Sequence, residues 1–142
     1  MATLFQSLAR SLASIKGVKV EATKAGILVN VPVDKTRRQT VKVTAAGVRV
    51  AGGEMIVARL VSRTGYVDNP VLVRKVLEFN AGRQRFGLCL NTDCDPPALD
   101  AVACIPIDMH DENVKNKVWF AINELAKRAD LLERQFGASD DL

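Results

Sequence analysis

The sequence contains few of the residues that mark several well-known classes of protein. Among its 142 residues there are three cysteines and one histidine. A small secreted domain that depends on disulfides needs an even and larger set of cysteines. Zinc fingers and ribbons need pairs of ligands at short fixed spacings, which Cys89, Cys94, Cys104 and His110 do not provide. The cysteine count therefore favours a reducing compartment, and the sequence implies no cofactor.

Long apolar runs are absent as well. No stretch approaches the roughly 20 apolar residues that a membrane-spanning helix needs, and we find no charged leader with an apolar core and a cleavage site. We therefore expect a cytoplasmic protein without a membrane partner. The composition is that of a globular protein, at 48% hydrophobic and 25% charged residues. We expect one domain over residues 1–137 and a frayed acidic tail over residues 138–142.

Charge is unevenly distributed along the chain. Residues 1–90 hold 15 basic against 5 acidic residues, or +10, and residues 91–142 hold 5 against 11, or −6. This split indicates either a basic interaction surface or two halves that pack together and compensate each other, and the second interpretation is the simpler. The basic clusters at residues 35–38 and 83–85 contain no aromatic residue, although nucleic-acid binding often uses aromatics for base stacking.

The clearest local pattern lies in the middle of the chain, where a helix is predicted to lead into a strand. Pro70 suits the first helical position because its missing N–H costs nothing there. Gly82 suits the C-terminal end because glycine tolerates the left-handed conformation. Beyond the glycine, Phe86, Leu88 and Leu90 alternate with other residues, as in a half-buried strand.

The rest of the pattern predicts an α+β domain with the order α-β-β-β-(β)-α-β-β-α. Residues 2–15 and 111–136 repeat apolar residues at helical spacing. Between them, short alternating segments joined by tight turns predict an antiparallel sheet of about five to six strands. Gly47 and residues 52–53 are expected to bracket a short segment of their own. Three apolar helices must then cover at least one face of the sheet.

This order, with the helix of residues 71–80 leading directly into the segment of residues 85–90, resembles the type III secretion chaperone-like superfamily. It is similar in particular to the YbjN-like branch. A strand pair followed by a long terminal helix adds to the resemblance. The residues that carry it are packing positions: Leu77, Asn80, Phe86, Leu88, Leu125, Ala129 and Leu132.

The resemblance implies a small bacterial homodimer. Secretion chaperones hold extended segments of partner proteins, and YbjN-like proteins are sometimes described as regulatory. No binding residue is carried over, because the matching positions are packing positions. We therefore expect a non-enzymatic protein-interaction module, chaperone-like or regulatory, whose partner is a protein or a client segment.

Two alternatives stay open at this point. A nucleic-acid-associated protein would use the basic residues 1–90. A small enzyme or metal protein would be built around Cys94 and His110, because thiolate, imidazole and the flanking carboxylates of Asp93 and Asp95 are all zinc ligands and a Cys–His pair can act as a nucleophile. The spacing of these residues matches no established motif, so we expect no catalytic, metal-binding or cofactor-binding residues.

Two helical surfaces have more apolar residues than one sheet can cover. In the middle helix the apolar arc spans roughly 160° on a helical wheel, against the about 100° that packing on a sheet requires. In the terminal helix, Phe120 and Leu131 share the face opposite the core seam, and Trp119 lies beside them. We expect the following residues to contact a dimer mate or a partner: Leu72, Val76, Phe79, Trp119, Phe120 and Leu131.

Overall fold

The computed structural model of the chain describes residues 2–66, 70–82, 86–108 and 110–140. Its elements, in chain order, are α1 Ala2–Ala13, β1 Lys19–Ala22, β2 Gly26–Pro32, β3 Arg38–Val50, β4 Gly53–Tyr66, α2 Pro70–Ala81, β5 Gly87–Asn91, β6 Ala98–Ile107 and α3 Val114–Asp140. This order confirms the predicted α+β class. Within the described residues, none of the helices combines the length and the apolarity needed to cross a membrane.

All the strands belong to one antiparallel sheet with the order β1-β2-β3-β4-β6-β5. β4 lies centrally, between β3 and β6, and both alternating sets of its residues from Met55 to Val61 are mostly apolar, as is typical of a central strand. β2 ends at Pro32, which has no N–H to donate to a further ladder bond. The sheet therefore grows by successive hairpins from β1 to β4, and β6 then pairs on the far side of β4.

Gly47 does not interrupt β3, so the expected separate segment around residues 48–50 is wrong. β3 pairs with β4 without a break from Lys42↔Val61 to Val50↔Gly53. The turn itself uses Gly52 and Gly53, whose φ angles of 94° and 153° favour glycine. At position 47 a Cβ would lie 1.8 Å from a carboxylate oxygen of Glu54. A side chain at position 47 would therefore require the exposed Glu54 carboxylate to move aside.

The hydrophobic core lies on one face of the sheet. Alternate residues of β2, β3 and β4 point into it, and their side chains are at most 1% exposed: Ile27, Val29, Val31, Val41, Val43 and Leu60. α1 covers this face with Leu8 and Leu12. α3 covers it with the predicted seam, of which these members are buried: Val118, Ile122, Leu125, Ala129 and Leu132. Full burial of one such side chain stabilises the fold by about 1.5–3 kcal/mol.

Polar side chains share one end of the covered face. Gln39 donates to the Ser62 hydroxyl at 3.0 Å and to the Arg63 carbonyl at 2.7 Å. Ser62 donates in turn to the Thr40 carbonyl at 2.9 Å, and Thr64 donates to the Leu99 carbonyl at 2.9 Å. Among the described residues, every buried side-chain nitrogen and oxygen has a partner. These groups can therefore be buried without a net desolvation cost.

α2 is attached to the sheet mainly through β5. The Asn80 side chain accepts a hydrogen bond from the Leu88 N–H at 2.8 Å and donates to the Leu88 carbonyl at 3.0 Å. Next to it, the rings of Phe79 and Phe86 lie 5.4 Å apart. The end of α2 is therefore fixed to β5 by one amide and one aromatic pair.

α3 starts later and ends later than the sequence pattern predicts. Asp111 precedes the helix and accepts hydrogen bonds from the Asn113 N–H and the Lys117 ammonium. The Lys117 hydrogen bond lowers the pKa of the Asp111 carboxyl, and the Asn113 N–H lowers it further. The helix continues to Asp140, so most of the predicted frayed tail of residues 138–142 is helical, because each added residue extends a helix at little cost.

We predict that Asn80→Ala lowers the free energy of unfolding by about 1–3 kcal/mol, since it leaves the backbone groups of the buried Leu88 without partners. Asn116→Ala is the matched control, because Asn116 is an exposed asparagine in α3 and gains the same helix propensity. Urea denaturation followed by circular dichroism measures both. Equal stability of the two variants would contradict a clamping role for Asn80.

Candidate functional site on the open face of the sheet

The second face of the sheet has no helix packed on it within the described residues. We call it the open face, and its residues are the outward-pointing ones of four strands: Leu28, Thr40, Lys42, Thr44, Arg59, Val61, Arg63, Asp100 and Val102. They line a shallow depression of about 680 Å³, bordered on one side by Cys89 and residues 90–93. An antiparallel sheet can leave one face to solvent, so this depression is a surface available to a ligand.

Cationic side chains occupy the centre of the open face. Lys42 lies opposite Val61 on the neighbouring strand, so its diagonal neighbours are Arg59 and Arg63, two positions away along β4 on either side. Diagonal neighbours on one face have Cβ atoms about 7–8 Å apart. At that distance two unit charges repel by roughly 0.5 kcal/mol in water. The fold tolerates this repulsion, and an anion bound between these side chains would be attracted by each of them.

Arg63 is the cation of this group that already has a partner. Its Nε donates to Asp100 Oδ1 at 3.3 Å, and its guanidinium carbon lies 5.6 Å from the centre of the Tyr66 ring. Burial lowers the pKa of Arg63, but the interactions with Tyr66 and Asp100 raise it more, so the guanidinium stays charged. Lys42 and Arg59 are exposed and form no ion pair with any residue that the structure describes.

Asp100 is the acidic group at the bottom of the depression. It is 6% exposed, and its second carboxylate oxygen accepts a hydrogen bond from Asn91 at 3.2 Å. Asn91 starts the loop that forms the rim, where its side chain also accepts the Asp93 N–H at 3.0 Å. Both oxygens of Asp100 are thus engaged, by Arg63 and by Asn91. With Asp93 on the rim, two carboxylates stand against the positive charges of Lys42, Arg59 and Arg63, so the depression carries a net positive charge.

The open face continues into an apolar end along the β3–β4 hairpin. The outward positions beyond Thr44 and Arg59 are Ala46, Val48, Met55 and Val57, and Pro106 lies beside them on β6. Val48 is 42% exposed. These residues, which we call the apolar end, adjoin the cations directly. The surface therefore offers positive charge and apolar contact side by side.

The predicted compensation between the two halves of the chain is confirmed at some positions. Arg37 bonds Asp130 at 2.7 Å and Arg63 bonds Asp100 at 3.3 Å, and both pairs join the two halves. The hydrogen bond to Asp130 raises the pKa of Arg37. The basic cluster at residues 35–38 is thus partly structural. The other cluster, at residues 83–85, lies outside the described residues.

Cys94 and His110 do not meet in the structure. Cys94 lies in the loop before β6 and His110 in the turn after it, so the whole strand separates them, a length of about 30 Å. A nucleophile pair or a shared metal site therefore has no geometric basis. Within the described part of the chain, no three metal-binding side chains come together.

The predicted interface residues fall into separate groups. The side chains of Leu72 and Val76 lie outside the described residues. Phe79 and Trp119 are half-buried and pack against the core rather than facing outward. Phe120 and Leu131 are 60% and 38% exposed. Phe120 lines a shallow groove of about 170 Å³ with apolar neighbours that include Phe86, Ile105 and Leu125.

Comparison of this chain with family models, curated proteins and solved structures finds no match. The resemblance to type III secretion chaperone-like and YbjN-like proteins therefore stays a prediction that rests on element order and packing residues.

The open face was not predicted from the sequence, although one signal for it was present. Lys42 alternates with Val41 and Val43, which places it opposite the core.

We predict that Lys42→Gln raises the free energy of unfolding by up to about 1 kcal/mol at low ionic strength, because it removes two repulsions of roughly 0.5 kcal/mol. The gain should vanish in molar salt, where the screening length is about 3 Å. Urea denaturation at both salt concentrations measures it. A loss of stability at low salt would show that Lys42 has a compensating partner.

Proposed function

We propose that this protein is a non-enzymatic protein-interaction module, chaperone-like or regulatory in kind, and that the open face is its binding surface. The observation that supports this proposal is that two cations without an ion-pair partner among the described residues, Lys42 and Arg59, adjoin the apolar end. Exposed apolar residues next to charge are typical of surfaces that bind other proteins. A depression bordered by a loop gives such a surface the shape to hold a segment of a partner.

A nucleic-acid ligand fits this surface less well. The cations would attract phosphates, but among the described strand positions on this side of the sheet only Tyr66, at the end of β4, has a ring on which a base could stack. Tyr66, at the margin, already packs against Arg63. The apolar end would lie against the polar sugar-phosphate backbone of a nucleic acid, and this contact would not stabilise the complex.

We predict that unstructured peptides bind on the open face. The experiment screens a set of 15-residue peptides of varied composition against the ¹⁵N-labelled protein by NMR. For peptides that bind, amide shifts should change most at residues 40–44 and 59–63, and least on the exposed side of α3. Absence of binding by every peptide, or shift changes centred on the helices, would contradict the proposed function.

We also propose that the protein forms a homodimer through the face of α3 that carries Phe120 and Leu131. Both side chains are exposed, and Phe120 borders an apolar groove. Next to this groove, β5 pairs only with residues 98–102 of β6, so residues 103–107 have no partner strand on that side within the described residues. The helix face and the sheet edge together offer a surface for a second copy.

Phe120→Ser combined with Leu131→Ser should convert a dimer into a monomer and change the melting temperature of the monomer little, because both side chains are largely exposed. Light scattering at micromolar concentration measures the mass. Lys115→Ser with Glu133→Ser, at exposed polar positions about 140° around the same helix from Phe120, is the control. A monomeric wild type would contradict the dimer, and lost thermal stability with unchanged mass would show that both residues support the monomer core.

A further inference from the structure

The outward side chains of β4 form a row with a definite chemical order. Reading back along the strand, the row is Arg63, Val61, Arg59, Val57 and Met55. Alternate residues of a strand are about 6.6 Å apart, so Arg59 and Arg63 lie about 13 Å from each other with Val61 between them. The row therefore presents a cation, an apolar side chain, a second cation and then two apolar side chains.

Lys42 strengthens the positive charge in the middle of this row. It lies opposite Val61, so it faces the gap between the two arginines. Across the row on the other side, β6 places Val102 opposite Val61 and Cys104 opposite Arg59. Two acidic residues line the same depression: Asp100, whose two oxygens are engaged by Arg63 and Asn91, and Asp93 on its rim.

The positive charge of the row indicates which kind of partner can bind there. A second copy of this chain would bring the same cations against each other, so the open face is unsuited to self-association. An acidic segment in extended conformation matches the row, because its own alternate side chains have the same spacing of about 6.6 Å. The apolar end would then contact apolar side chains further along the same segment.

We infer that the open face binds an extended protein segment in which two acidic residues flank an apolar residue at alternate positions, followed by apolar residues at the next alternate positions. The acidic residues pair with Arg59 and Arg63, the residue between them packs on Val61, and Lys42 adds attraction to both carboxylates. The segment runs along β4. This inference rests on the proposed function and specifies the partner of the same surface.

The test uses tetramethylrhodamine-labelled 11-residue peptides and fluorescence anisotropy. The patterned peptide has glutamates at its third and seventh positions, valines at its fifth, ninth and eleventh, and serine elsewhere. One comparison peptide replaces both glutamates by lysine, a second has the same composition in scrambled order, and a labelled thymidine 12-mer is the nucleic-acid probe. We expect the patterned peptide to bind at least tenfold tighter than the lysine peptide and at least threefold tighter than the scrambled one.

Lys42→Glu with Arg59→Glu should weaken binding of the patterned peptide at least tenfold and favour the lysine peptide instead. Lys115→Glu with Lys127→Glu changes the net charge equally at exposed positions on α3 and should alter binding less than twofold. Thermal melts check that each variant is folded. If the double variant is unfolded, Lys42→Ala replaces it and should weaken binding about threefold.

The outcomes separate the inference from the proposed function. Binding of peptides regardless of their charge would overturn the acidic partner and keep a protein-interaction module. Equal binding of the patterned and scrambled peptides would contradict the proposed alternate spacing of acidic and apolar residues in the bound segment. Tighter binding of the thymidine 12-mer, lost in the Lys42→Glu, Arg59→Glu variant, would replace the protein partner by a nucleic acid. If no peptide of any composition binds, the proposed function itself is wrong.

Discussion

Residues 41–43 show the constraint on which the rest of the structure depends. Val41 and Val43 are fully buried beneath the helices, and Lys42 between them is exposed on the opposite face. Because side chains alternate strictly along a strand, a shift of one residue in register would bury Lys42 and expose both valines. The cost of burying an unpaired ammonium is several kcal/mol, so the register of β3 against both neighbours is firmly determined. The same alternation of side chains along the strands therefore produces both the buried core and the open face.

Most of the fold could be predicted from the sequence because periodicity reports which side of an element is buried. The seam of α3, the hairpins and the central position of β4 all follow from apolar spacing. Gly47 shows where this reasoning fails. A glycine that continues a strand has the same appearance in sequence as a glycine that turns the chain. The end of α3 was also misplaced, since acidic and small residues do not by themselves stop a helix.

The candidate site could not be predicted in the same way. Its cations belong to two strands, and only the pairing of Lys42 with Val61 places them around one point. In the sequence, Lys42, Arg59 and Arg63 look like ordinary polar positions of alternating strands. The conspicuous basic cluster at residues 35–38 instead contributes Arg37 to a buried carboxylate of α3. Charge density along the chain was thus a poor guide to charge density on the surface.

The two parts of the open face differ in mechanical support. β3 is flanked by β2 only as far as Thr44, and β6 pairs with β4 only from Ile56 onward. Beyond these limits the β3–β4 hairpin is a two-stranded ribbon, and such ribbons have marginal stability in water. The cationic part is held by strands on both sides and keeps a fixed arrangement. Val48 and Met55 can twist and bend with this ribbon, whereas Val57 is held by its pairing with β6, so one rigid set of charges is joined to an apolar end whose outer part is adaptable.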